Sequence, residues 1–170
     1  MTKDKFYITT PIYYVNDIPH VGHAYTTLAA DALARYWRIK IGDSNVFFLT
    51  GTDEHGQKVA SSAQEKNMTP LEYANFVSPS FAKAWQELNI SHNLFITTTD
   101  PRHESVVTTL IQKIHDNGYI YEGIYKGLYC VGCEKFLTES DLVDGNCPLH
   151  PNQKPVLQKE KNYFLKLKDL

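Results

Sequence analysis

The sequence predicts an α/β protein, with a parallel sheet and crossover helices followed by a small β-rich segment. Three observations carry this. Short β-prone runs alternate with longer helical patterns as far as residue 117. The patterning changes after Gly118. All three cysteines and one of the seven histidines then fall between Cys130 and His150.

The first element is the β-prone run Phe6–Thr10, which Pro11 ends or places at a sheet edge, because proline cannot donate to a ladder. Tyr25, Leu28, Ala29, Ala32, Leu33 and Tyr36 follow at helical spacing and predict a helix over roughly 22–40. Gly42-Asp43 stops it, and residues 45–49 read as a buried strand. Residues 56–66 form a second helix. Thr69-Pro70-Leu71-Glu72 opens a third, with Thr69 as cap, Pro70 at the first helical position and Glu72 completing a capping box. Phe81, Trp85 and Leu88 extend it, and Ser78-Pro79 is expected to kink or restart it. Residues 94–97 are the third strand. Asp100-Pro101 opens a helix with Val106, Val107, Leu110, Ile111 and Ile114 on its apolar face, closed by Asn117-Gly118. The order β-α-β-α-α-β-α implies parallel strands. Residues 119–129 read as a β-hairpin turning near Glu122-Gly123 that delivers Cys130. Two units are therefore expected, 1–117 and 118–170.

Composition is that of a globular chain, with 42 % apolar and 21 % charged residues. A net charge of −2 gives no support to nonspecific nucleic-acid binding by overall charge. No run approaches the ~18 apolar residues that span a bilayer, and the N-terminus lacks a signal-peptide core. Clustered thiols suit a reducing compartment, so a cytoplasmic location is expected. The ending at Asp169-Leu170, without cap or polar tail, reads as a chain cut within a larger protein.

Cys130, Cys133, Cys147 and His150 form the pattern C-x2-C-x13-C-x2-H. Each C-x2 pair is a knuckle that turns two ligands toward one ion, and four such donors satisfy tetrahedral zinc. Thiolate and imidazole favour zinc over magnesium or calcium. With no further donor nearby, the site reads as structural, holding one zinc per chain. Buried free cysteines beside an unrelated histidine are the plainer alternative.

Pro19-His20-Val21-Gly22-His23 lies between a strand and a helix N-terminus. Gly22 allows close backbone approach, and the helix start carries about half a positive charge. Two imidazoles three residues apart can donate to a phosphate as its charge grows during substitution. The loop matches neither G-x-x-x-x-G-K-[ST] nor G-x-G-x-x-G. As four bare residues, H-x-G-H is also compatible with two incidental loop histidines. Thr50-Gly51-Thr52-Asp53-Glu54-His55-Gly56 follows the second strand at the carboxyl edge of the sheet, where open α/β folds bind ligands. Spacing alone leaves a helix cap and an ammonium-binding carboxylate as equal readings.

With these residues in place, the chain resembles the bacterial methionyl-tRNA synthetase family, class I aminoacyl-tRNA synthetases, over nearly its whole length. The anchors are residues 9–16 (Thr9-Thr10-Pro11-Ile12-Tyr13-Tyr14-Val15-Asn16), 19–25, and 48–58 from Phe48 to Lys58. Tyr125-Lys126-Gly127-Leu128-Tyr129-Cys130 and Thr138-Glu139-Ser140 extend the match into the family's connective insertion. The resemblance implies the N-terminal half of a Rossmann-like catalytic domain plus a zinc-knuckle insertion. The implied activity is that of a methionine–tRNA ligase, which activates L-methionine with ATP and Mg2+ and transfers it to tRNA(Met). On this resemblance His20 and His23 are the catalytic histidines, and Asn16, His20, Gly22 and His23 contact ATP. Pro11, Ile12, Tyr14 and Asp53 bind methionine, with Asp53 taking the ammonium. Cys130, Cys133, Cys147 and His150 match the single-knuckle zinc form.

Val21 stands where the family signature has isoleucine, an apolar exchange. The family's K-M-S-K-S loop, the second half of the nucleotide fold and the anticodon-binding domain are not among these residues. The chain is therefore expected to be inactive alone. Rival readings are another class I synthetase, a small H-x-G-H nucleotidyltransferase, and a zinc-stabilised RNA- or protein-binding module. The last needs a basic face, which 17 basic against 19 acidic residues support poorly.

Overall fold

The first strand, β1 (Phe6–Tyr14), runs through Pro11 rather than ending there. It pairs in parallel with β2 (Val46–Asp53), and the register slips between Thr9 and Ile12. One residue of slip exchanges the two faces of a strand. Before it, Phe6, Ile8 and Thr10 turn inward; after it, Tyr13 is buried while Ile12 and Tyr14 are exposed. Proline is tolerated because β1 is an edge strand in the order β1-β2-β3, where β3 (Leu94–Thr97) pairs in parallel with β2. The Thr10 and Thr50 hydroxyls meet at 2.7 Å beside the slip.

Helix α1 (Val21–Ile41) links β1 to β2. Its apolar stripe identifies the helix, but that stripe does not face the sheet: Tyr25 is 78 % exposed and Leu28, Leu33 and Tyr36 are also exposed. Thr27, Ala30, Asp31 and Ala34 pack inward instead. Small side chains let the helix axis approach the sheet, and Asp31 is satisfied by the Ser91 N–H at 2.7 Å and Arg35 Nε at 2.6 Å. Helices α2 (Gln57–Glu65) and α3 (Pro70–Glu87) lie between β2 and β3 in sequence. Thr69 and Glu72 form the expected capping box. The helix does not restart at Pro79. Tyr73, Ala74, Val77, Ser78, Phe81 and Trp85 are all buried along it, so packing on both sides of the proline outweighs its local cost. All of these but Ser78 join Tyr13, Val15, Val46 and Phe48 in one hydrophobic core.

Helix α4 (Pro101–Asp116) follows β3, and none of its residues is buried. The chain divides into two compact units, Met1–Val106 and Val107–Leu170, so the second half of α4 belongs with the second unit, whereas the sequence places the boundary after Asn117. The computed structural model describes residues 4–169.

In the second unit the expected hairpin is instead one unbroken strand, β4 (Ile120–Cys130). It is the centre of an antiparallel sheet of order β5-β4-β6, with β5 (Lys135–Leu137) and β6 (Val156–Leu165). Gly123 is a strand residue facing Asn162 across the ladder, not a turn. A Cβ there would come within 2.9 Å of the Phe164 ring, which lies 5.5 Å from Tyr121, so the glycine leaves room for a cross-strand aromatic pair. No helix among the described residues is long and apolar enough to cross a membrane.

Candidate functional site

The carboxyl edge of the parallel sheet gathers the motif residues of the first unit. Tyr14 and Asp53 are register partners at the ends of β1 and β2. The short loop after β1 leads to His20, the N-cap of α1. The start of that loop is anchored from α3, where the buried Tyr73 hydroxyl donates to the Asn16 carbonyl at 2.9 Å. The Asn16 side chain itself is exposed.

The two histidines cap the helix reciprocally. Gly22 N–H donates to His20 Nδ1 at 3.1 Å, and His20 N–H donates to His23 Nδ1 at 3.2 Å. A nitrogen that accepts carries no proton, so in this arrangement Nδ1 of each ring serves the backbone and Nε2 is the nitrogen left for a ring proton. The Nε2 of each imidazole is thus not used by the cap, at a helix N-terminus where the backbone already favours an anion. Burial first, and then neighbouring His20, push His23 below the ordinary histidine value of 6.5. Its neutral state is favoured for that reason.

Asp53 is partly buried at the end of β2 and accepts the His55 N–H at 3.4 Å, a long and weak contact. That bond stops short of α2, whose N-cap Gly56 has no side-chain cap hydrogen bond, so the helix-cap reading of this cluster is not borne out. Pro11, within the β1 slip, is exposed, and so are Ile12 and Tyr14 after it, on the opposite face from buried Tyr13. The neighbouring Glu54, which sequence reasoning passed over, is only 3 % exposed. It accepts from the hydroxyls of Thr52 (3.1 Å) and Thr99, while its N–H donates to Thr98 Oγ1 at 2.9 Å. It joins the ends of β2 and β3. An acidic residue beside the motif acid gave no sign in the sequence of pointing inward.

In the second unit, the ligand atoms of Cys130, Cys133, Cys147 and His150 all lie within 4.8 Å of one another, so they could hold a metal ion. His150 Nδ1 is 3.7, 3.2 and 3.9 Å from the sulfurs of Cys130, Cys133 and Cys147, and the last two sulfurs are 3.5 Å apart. Tetrahedral zinc, with bonds of about 2.3 Å to sulfur and about 2.0–2.1 Å to nitrogen, requires donor separations of roughly 3.6–3.8 Å. The donor set and its spacing fit. Hydrogen bonding with His150 draws the Cys147 thiol down to about 6, and hydrogen bonding with Cys147 pushes Cys133 up to about 11. Sulfurs this close cannot all ionise without a cation among them. Gly132 was also missed as a functional position. A Cβ on it would lie 2.4 Å from His150 Cδ2, so only glycine lets the ring turn Nδ1 to the sulfurs.

A sequence profile described as tRNA synthetases class I (M) matches residues 6–154. The chain belongs to this class I synthetase family. A methionine–tRNA ligase of Campylobacter jejuni is 49 % identical over 162 residues, covering 95 % of this chain and 25 % of that protein. A methionine–tRNA ligase of Thermosynechococcus vestitus is 46 % identical over 163 residues, covering 95 % of this chain and 30 % of its own length. Among solved structures, Mycobacterium tuberculosis methionyl-tRNA synthetase in complex with methionyl-adenylate superposes with a TM-score of 0.85 at 40 % identity. That match covers 98 % of this chain and 33 % of the other. The chain thus spans about a quarter to a third of the class I synthetases it matches. Its parallel sheet with crossover helices is the α/β fold of that catalytic domain.

Proposed function

We propose that this chain is the N-terminal part of the catalytic region of a methionine–tRNA ligase, acting in the cytoplasm. The activity is formation of methionyl-adenylate from L-methionine and MgATP, then transfer of methionine to tRNA(Met). One observation carries the reading: two imidazoles at the start of α1, each with Nδ1 committed to a backbone N–H, which leaves Nε2 of both to donate to a ligand.

In the first step a methionine carboxylate oxygen forms a bond to the α-phosphorus. The bond from that phosphorus to the bridging oxygen breaks, and pyrophosphate leaves with the electron pair. Negative charge on the phosphoryl oxygens is offset by Nε2–H of His20 and His23 and by the positive end of α1. Asn16 and Gly22, which flank the same loop, are the further residues we assign to ATP. Asp53 takes the methionine ammonium, and the exposed Pro11, Ile12 and Tyr14 at the β1 slip supply the wall of the methionine site. Zinc is the ion assigned to Cys130, Cys133, Cys147 and His150. When bound it cross-links the two knuckles and takes no part in the chemistry.

The test is amino-acid-dependent ATP–pyrophosphate exchange by the complete natural protein. Methionine is expected to drive exchange, and His20→Asn or His23→Asn to lower kcat about 10²–10³-fold, with the methionine KM little changed. Exchange driven by leucine, isoleucine or valine instead would move the assignment to another class I enzyme. No exchange with any amino acid would overturn the synthetase reading.

A further inference from the structure

The side chains beneath the signature histidines form a connected device that the proposed chemistry has not used. Tyr13 and Thr27 are both buried, and their hydroxyls meet at 2.8 Å. The Thr27 proton is committed to the His23 carbonyl at 2.9 Å, so Tyr13 is the donor of the pair. The Tyr13 hydroxyl also lies 3.4 Å from that carbonyl. The Tyr13 ring is 4.8 Å from the His23 ring and stacks on Phe81 at 5.9 Å and 12°. Phe81, fully buried on α3, touches His23 from below at 5.3 Å.

Each contact restrains a different motion. The hydroxyl chain fixes the peptide of His23 at the first turn of α1. Tyr13 and Phe81 pack against the His23 ring at 4.8 and 5.3 Å, and His20 stacks on it at 3.8 Å, so three rings restrict its rotation. A donor that must meet charge only in the transition state gains from being held before the reaction begins. Tyr13 reaches this position because the β1 slip turns it inward, opposite its outward neighbours Ile12 and Tyr14. We infer that Tyr13 and Thr27 are positioning residues for His23: their hydroxyl pair fixes the peptide whose imidazole presents Nε2–H to the phosphate. The inference rests on the synthetase reading for its chemistry, but its geometry can be tested separately.

The experiment uses the complete natural protein labelled with 15N-histidine, with His23 signals assigned through His23→Gln. Wild-type His23 is expected to show an unprotonated Nδ1 and a protonated Nε2. Tyr13→Phe keeps the ring and removes the hydroxyl; Thr27→Val keeps the shape and removes the other. Both are expected to shift His23 to a mixture of tautomers and to lower exchange kcat roughly 10–100-fold, with the methionine KM within about twofold. Thr27→Ser keeps a hydroxyl and is expected to retain the wild-type tautomer and rate, which separates positioning from general destabilisation. An unchanged tautomer in both hydroxyl-deleting variants overturns the inference, whatever the rate does, and so does a loss carried entirely in KM. A tautomer shift in a protein whose wild type catalyses no exchange would leave the positioning intact and remove the synthetase reading alone.

Discussion

His20 donates its backbone N–H to His23 Nδ1 at 3.2 Å, and the two imidazoles stack with centroids 3.8 Å apart. The same two rings therefore terminate a helix and stand where its backbone favours an anion. Protonating either ring at Nδ1 removes a cap acceptor and places a cation against its neighbour. Helix integrity and donor geometry are linked at this one point, and substitutions can separate them.

The first prediction uses that separation. Asparagine is a good N-cap acceptor but cannot place an Nε2–H where histidine does. His20→Asn is expected to melt close to wild type, whereas His20→Ala should lose about 1 kcal/mol. Both should lose exchange activity alike. Equal stability of the two variants by urea denaturation would show that the cap contributes nothing.

Acid sensitivity follows from a different histidine. His92 Nδ1 is buried without a hydrogen-bond partner among the described residues. Burial pushes its imidazole below 6.5, against an opposing pull from Asp31. In the unfolded chain it protonates near 6.5; in the folded chain only at lower pH. The unfolded state therefore binds more protons in that window, and stability falls as pH drops below about 6.5. His23 contributes with the same sign. Thermal melts from pH 8 to 5 should be flat above about 7 and then decline. His92→Phe should reduce the slope, and an unchanged slope would refute this account.

Gly132 offers a test of the metal centre that alters no ligand. An alanine methyl must displace the His150 ring, which a Cβ would approach to 2.4 Å. Gly132→Ala is expected to weaken zinc binding about 10–100-fold by competition with a chromophoric chelator, the range typical of disturbing a ligand's support. Full removal of the ion should unfold the knuckles while the core around Phe48, Phe81 and Trp85 stays intact. Among the described residues, the buried hydrophobic cluster of the second unit is small: Cys130, Leu137 and Cys147. An ion worth roughly 10–16 kcal/mol in isolated zinc peptides dominates so small a cluster. Metal analysis giving far less than one ion per chain, with the knuckles still folded, would sink the assignment.

The sequence shows its local determinants well and its tertiary ones poorly. The capping box at Thr69 and Glu72 and the C-x2 knuckles are written in adjacent residues, and the structure has the box and brings the knuckle donors together as that spacing implies. The buried face of α1 was not legible, because Thr27 and Asp31 are satisfied by partners distant in sequence: Tyr13 for one, Ser91 for the other. Gly123 was misread for a related reason. In isolation a glycine beside a glutamate resembles a turn, and only Phe164 on another strand explains it. Tyr13 is the most instructive case. It sits inside a motif string, yet its inward direction depends on a register slip that alternation alone cannot reveal.

Pro79 gives the last prediction. It lies exposed inside α3, where the helix continues through it. Proline supplies no N–H to the carbonyl four residues earlier, that of Asn75, and its ring crowds that carbonyl. Buried neighbours on both sides hold the helix together: Ser78 Oγ meets Thr52 Oγ1 at 2.9 Å, and Phe81 packs under His23. The strain is therefore carried by the core, and relieving it should add stability without moving that core. Pro79→Ala is expected to raise stability by up to about 3 kcal/mol in urea denaturation, with exchange activity unchanged. Loss of stability would mean that the backbone conformation proline favours is itself what seats Phe81 against the histidine.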